Sequence, residues 1–193
     1  MGKWEEDGRA RRGDGIAGER VGARDVAGSG RSVYDVVLNI TWLQDANYAK
    51  TSGYDADGKM NWADANAWAA NLVYHDSVRG VDWSDWRLAR NSPLGADWNF
   101  WGSDDGSTDN GWNITSQNSE LAYMYYVNLG LKAFWSPAGA YQPEWGIFRN
   151  GTYGGQADVG LVKNLQSHYG YWSGTAYALR PVTAAWKFNT YSG

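Results

Sequence analysis

Two stretches hold most of the side chains suited to gripping a ligand. The first, 91–116, carries Trp98, Trp101 and Trp112 among Asp97, Asp104, Asp105 and Asp109. The second, 134–155, carries Tyr141, Trp145 and Tyr153. Neither set repeats at helix or strand period, so neither reads as the buried stripe of a regular element. Aromatic faces stack on the C–H faces of sugars, and neighbouring Asp and Asn groups fix hydroxyls. The candidate ligand-binding set is therefore Trp98, Trp101, Asp104, Asp105, Trp112, Tyr141, Trp145 and Tyr153. For any single Trp, filling the core beneath the loops is the stronger competing role. The reading rests on several of them being exposed together.

Other constellations are weaker. Asp104-Asp105, with Asp97 and Asp109 near in sequence, offers carboxylates for glycosidase-type acid–base work, which makes a glycoside hydrolase the alternative function. Adjacent acids in a Gly-rich loop are more often solvated or hold calcium loosely. No nucleophile–base set accompanies them, so no catalytic residue is assigned and the reading is non-enzymatic. His75 and His168 stand far apart and lack the further ligands of a metal site. Asp55-Ala56-Asp57-Gly58 starts like a calcium loop, but Trp62 and Ala63 stand where later oxygen ligands belong. Asp55 and Asp57 read as turn formers. Gln142-Pro143-Glu144 is similar to a lectin sugar triplet without its downstream Trp-Asn-Asp partner, and is read as coincidence. No cofactor is expected; calcium is the one weak possibility.

The elements that must position these loops are short. Asn61 and Asp64 open a helix as cap and first-turn acid. Trp62, Ala65, Trp68, Ala69 and Leu72 share one face of it, and the spacing predicts a helix from about Trp62 to Tyr74. A second helix opens at 118–120, carries Leu121, Met124, Tyr125 and Leu129 on one stripe, and stops at Gly130. Strands are expected in 33–43, around Trp86 and Leu88, and as a late pair over 169–175 and 184–191. Residues 159–165 read as a short strand or a helical turn. Residues 1–31, rich in Gly, Arg and acids, read as a disordered tail, leaving 32–193 as one α+β domain.

Composition bounds the rest. The 193 residues include 13 Trp and 13 Tyr but only 4 Phe. Trp and Tyr bury large area yet keep a polar atom, which suits cores under polar loops and binding surfaces. A net charge of −4 disfavours nucleic acid as a partner. Cysteine is absent, which excludes disulfides and thiolate chemistry. No stretch approaches the ~18 apolar residues of a membrane span, and no signal peptide is visible. Oligomeric state is left open.

Taken together, 38–49, 53–65, Asp85-Trp86-Arg87-Leu88 and Tyr171-Trp172-Ser173-Gly174-Thr175 resemble a family of bacterial exported domains. It is the family related to the C-terminal domain of a collagen-like adhesin, the Lcl C-terminal domain, formerly a domain of unknown function. Many members look like surface proteins with a PEP-CTERM sorting tail. The resemblance covers about Val33 to the end. It implies a C-type-lectin-like fold of two helices, a small, mostly antiparallel sheet and long binding loops. It also implies an extracellular or cell-surface location and adhesion through glycan or glycosaminoglycan binding. The chain departs from the pattern at Ala89-Arg90, where the family usually has Pro. It also has its Leu179-Arg180-Pro181-Val182 before the Trp186 strand rather than at the close. The expectation is a domain lacking its last strand. A third reading is a structural fragment of a surface protein with no ligand of its own.

Overall fold

Asn61 begins the longest helix as expected. Its Oδ1 accepts from the Asp64 backbone N–H at 2.9 Å, and its Nδ2 donates to Asp64 Oδ2 at 2.6 Å. The answering bond from Asp64 thus goes to the cap's side chain rather than to its backbone. In the computed structural model, which describes residues 2–4, 24–25, 32–77 and 80–193, this helix spans Trp62–Asn71. It ends three residues before Tyr74, which opens a strand instead. Tyr74 is buried there and rests edge-on against Trp86, with ring centroids 5.9 Å apart. That contact outweighs one more helical turn.

In chain order the strands are β1 (Gly2–Trp4), β2 (Arg24–Asp25), β3 (Ser32–Asp35), β4 (Ile40–Leu43), β5 (Tyr74–Asp76), β6 (Val81–Trp83) and β7 (Trp86–Arg87). They continue with β8 (Gly102–Ser103), β9 (Asn110–Gly111), β10 (Gln156–Val159), β11 (Val162–Gln166), β12 (Gly170–Ala176) and β13 (Ala185–Asn189). The helices are α1 (Tyr48–Thr51), α2 (Trp62–Asn71) and α3 (Glu120–Tyr123), the last running on as a π-turn over Met124–Asn128. The architecture is α+β. One antiparallel sheet has the order β2-β3-β4-β1-β7, and β5–β6, β10–β11 and β12–β13 form separate antiparallel pairs. The segment read as a tail contributes β1 and β2 to the main sheet. The rest of 1–31 lies outside the described residues.

The stretch 33–43 resolves into a hairpin, β3–β4. Its turn is held by Asp35, buried and accepting from the Val37 and Leu38 N–H groups at 3.0 Å each. Asn128 on the π-turn donates to the other Asp35 oxygen at 2.5 Å, which ties hairpin to helix. Residues 159–165, read as a short strand or a helical turn, hold the turn and most of the short strand β11 of the β10–β11 hairpin. The expected late strand pair is β12–β13, with a bulge between Trp172 and Ala176.

Two apolar clusters form the core. One gathers Val33, Ile40, Trp42, Met124, Tyr125 and Leu165 among others; the other gathers Leu43, Trp68, Ala69, Tyr74, Trp86 and Leu88 among others. Trp62 and Trp172 bind the second cluster to β12 reciprocally. The Trp62 indole donates to the Ser173 carbonyl at 2.8 Å, and the Trp172 indole to the Met60 carbonyl at 3.0 Å. Each ring covers apolar surface while its one polar atom is satisfied by backbone. Asp55 accepts from the N–H groups of Asp57, Gly58 and Lys59, so the loop before α2 is a turn built on a carboxylate, as read. Among the described residues no helix is long and apolar enough to cross a membrane.

Candidate functional site

The loop 91–116 has little regular structure of its own, so side chains must hold it. Asp109 is the main anchor. It is buried, and its two oxygens accept from the Leu94 N–H at 2.7 Å and the Asn99 N–H at 2.6 Å. Below it, β8 and β9 make a two-residue parallel bridge. Gly111 is essential to that bridge, because a Cβ there would lie 2.1 Å from the Ser103 carbonyl oxygen. A second anchor is Asn113, at φ 59. Its amide Nδ2 donates to the Asp104 carbonyl at 2.5 Å and to the Trp135 carbonyl at 2.8 Å. One side chain thus joins 91–116 to 134–155. Asp104 and Gly139 also meet: a Cβ on Gly139 would stand 3.2 Å from Asp104 Oδ2.

The predicted aromatic residues separate by exposure. Trp101 is 82% exposed, Tyr153 66% and Tyr141 53%. Trp101 has no ring partner among the described residues. Trp98 and Trp112 are half-buried. Trp98 is stacked on Trp186 with centroids 5.2 Å apart and planes 25° apart, and Phe100 lies alongside. Trp145 is a correction to the candidate set. It is 5% exposed and enclosed by Phe134 and Tyr191, so it supports the loop and offers no face to a ligand. Its indole donates to the Tyr141 hydroxyl at 3.4 Å, and in that way it positions an exposed neighbour.

A row of rings emerges that sequence pattern did not show. Tyr141 meets Phe134, Phe134 meets Trp145, Trp145 meets Tyr191, Tyr191 meets Tyr153, Tyr153 meets His168, and His168 meets Tyr169, with centroids 5.0 to 6.2 Å apart. Lys59 closes the row, its ammonium 4.4 Å from the Tyr169 centroid. Tyr169 is 53% exposed. The only signal in sequence is the His168-Tyr169 doublet before Gly170; the fold, not the spacing, brings it to Tyr153.

The two loop acids differ in their surroundings. Asp105 is exposed and accepts from the Ser107 N–H at 3.0 Å. The Ser107 hydroxyl, and then its backbone N–H, hold the Asp105 carboxyl below its ordinary range. Asp104 is half-buried at the seam with Gly139. Among the described residues no three acids or histidines gather as a metal-ion group. His75 pairs instead with Asp82 at 2.7 Å on the β5–β6 hairpin. Gln142 and Glu144 are engaged internally, with the Ala133 carbonyl and with Lys132 respectively. Lys132 holds the Glu144 carboxyl below its usual range.

No protein-family model, curated protein or solved structure matches this chain.

Proposed function

We propose that this chain is a non-catalytic binding module of C-type-lectin-like architecture that recognises a glycan through the face built by 98–113 and 134–153. One observation carries the reading. Trp101, Tyr141 and Tyr153 each hold more than half of their surface in water, and the backbone of the loop carrying Trp101 is held by Asp109 and Asn113. An exposed ring on a fixed loop loses little entropy on binding. Aromatic residues placed so are favoured contact groups in binding surfaces. Asn99 and Asp104 stand within three residues of Trp101 in the chain. A glycan-binding role also fits the exported, surface-attached setting that the resemblance implies.

The hydrolase alternative lacks a nucleophile–base set in the sequence. A glycan array and a glycosaminoglycan pull-down test the proposal. Binding is expected, and the Trp101→Ala, Tyr153→Ala double variant loses at least tenfold in affinity. An array without any ligand, or a double variant that binds as before, overturns it.

A further inference from the structure

The two core clusters do not close on each other. Between them lies a cleft of about 590 Å³, within the ~300–1,000 Å³ typical of small-molecule sites. Its inner wall is apolar and buried, formed by Trp42 from β4, Trp68 from α2, Met124 and Tyr125 from the π-turn, Leu88, and Leu165 from β11. Met60 and Met124 add flexible thioether side chains, which adapt to the shape of an occupant. Trp42 also carries a buried indole N–H with no acceptor among the described residues, so the wall is not internally satisfied.

The rim is different. It is set by Lys50, Asp57, Lys59, Tyr169 and Lys187, all exposed, with half-buried Asp45 beside them. Both acids are already engaged. Asp57 pairs with Lys59 at 3.3 Å. Asp45 accepts from the Asn47 N–H at 2.8 Å and the Thr51 hydroxyl at 2.6 Å. Lys50 and Lys187 have no anionic partner among the described residues. Lys50, Lys59 and Lys187 stand against Asp45 and Asp57, which leaves this mouth cationic on a chain whose net charge is −4.

We propose that the cleft binds an amphiphile with one anionic head group, its apolar chain against the inner wall and its head between Lys50 and Lys187. The apolar wall gives affinity in proportion to area removed from water. The two lysines select for charge at the outer end. Neither Trp101 nor Tyr153 lines this cleft, so the inference does not rest on glycan recognition.

Titration of the full chain with 11-(dansylamino)undecanoate, followed by fluorescence and displaced by dodecanoate or dodecanol, tests it. Saturable one-to-one binding is expected, with dodecanoate displacing the probe at least tenfold more effectively than dodecanol. Lys50→Glu with Lys187→Glu lowers dodecanoate affinity at least tenfold and leaves dodecanol unchanged. Ala65→Leu, which adds volume at a lining position, weakens both while the circular dichroism spectrum is retained. A probe that shows no saturable signal, a dodecanol equal to dodecanoate, or a lysine double variant that binds dodecanoate like the unaltered chain overturns it.

Discussion

Arg87 and Glu120 meet in a two-pronged ion pair, Nη1 to Oε2 at 2.8 Å and Nη2 to Oε1 at 2.7 Å, with only 14% and 10% of their side chains exposed. The pair joins β7 to the first turn of α3. Glu120 Oε2 also accepts from the Arg90 N–H at 2.7 Å, and Arg87 donates to the Leu88 carbonyl at 3.0 Å. Loop 91–116 leaves from one side of this pair and returns on the other, so the pair fixes both ends of the candidate site.

Removing one partner strands the other charge in a largely dry place. Glu120→Ala is expected to cost about 3 kcal/mol, the order found when a buried pair is broken. Arg87→Ala should cost a similar amount, and the double variant less than the sum of the two. Urea denaturation of the four proteins measures this coupling; additive losses would show that the two groups act independently.

Trp101 and Trp145 should respond in opposite ways. Trp101→Ala removes an exposed ring and should change stability by less than about 0.5 kcal/mol while lowering glycan affinity. Trp145→Ala removes a buried ring packed on Phe134 and Tyr191 and should cost about 3–5 kcal/mol. Thermal melts read alongside a binding titration separate the two effects.

Asp109 anchors the loop by two backbone N–H groups. Asp109→Asn keeps the shape but leaves only one acceptor oxygen, so one half-buried N–H loses its partner, at about 1 kcal/mol. The loop 94–108 should then be cut faster in limited proteolysis, with cleavage elsewhere unchanged.

Asn113 joins the two loops with one amide. Its φ of 59 is one that glycine also adopts freely. Asn113→Gly therefore removes the amide without backbone strain. Amide hydrogen exchange should rise both at 102–112 and at 134–141; a rise confined to one loop would argue against the joint.

Stability should fall at both ends of the pH scale, for opposite reasons. Asp57, Asp105, Glu144 and Asp158 are all held below their ordinary carboxylate values by local hydrogen bonds and lysines. A depressed carboxyl contributes stability that is present above its unfolded pKa of about 4 and lost as pH falls further. Burial pushes the Tyr125, Tyr126 and Tyr171 hydroxyls up. These stay neutral in the fold, so stability is lost as pH rises past their unfolded value of about 10. The acid limb reports exposed groups and should be shallow and salt-sensitive. The alkaline limb reports buried rings and should be steep. Melting temperature measured across pH tests both.

Local signals were legible wherever a side chain acts on its own backbone. Asn61 capping α2, Asp55 holding its turn, and the positive φ of Gly130 after the second helix each need only near neighbours. Boundaries failed where distant packing competed. Tyr74 leaves the helix because Trp86, twelve residues on, offers its ring more contact. The second helix loosens into a π-turn at Met124, where Tyr125 and Met124 insert into the first core cluster.

By itself, the sequence determined the class of the fold, the capped helix, the late hairpin and the two aromatic loops, because each follows from residue type at short spacing. Only the tertiary structure decided which rings face water. Trp101 and Trp145 sit in similar loop sequence, yet one is bare and the other enclosed by Phe134 and Tyr191. Burial is a property of what the rest of the chain brings alongside. The same holds for the His168–Tyr153 contact and for the cleft beneath Lys50 and Lys187, whose walls come from elements, β4, α2, the π-turn and β11 among them, that no spacing in the sequence relates.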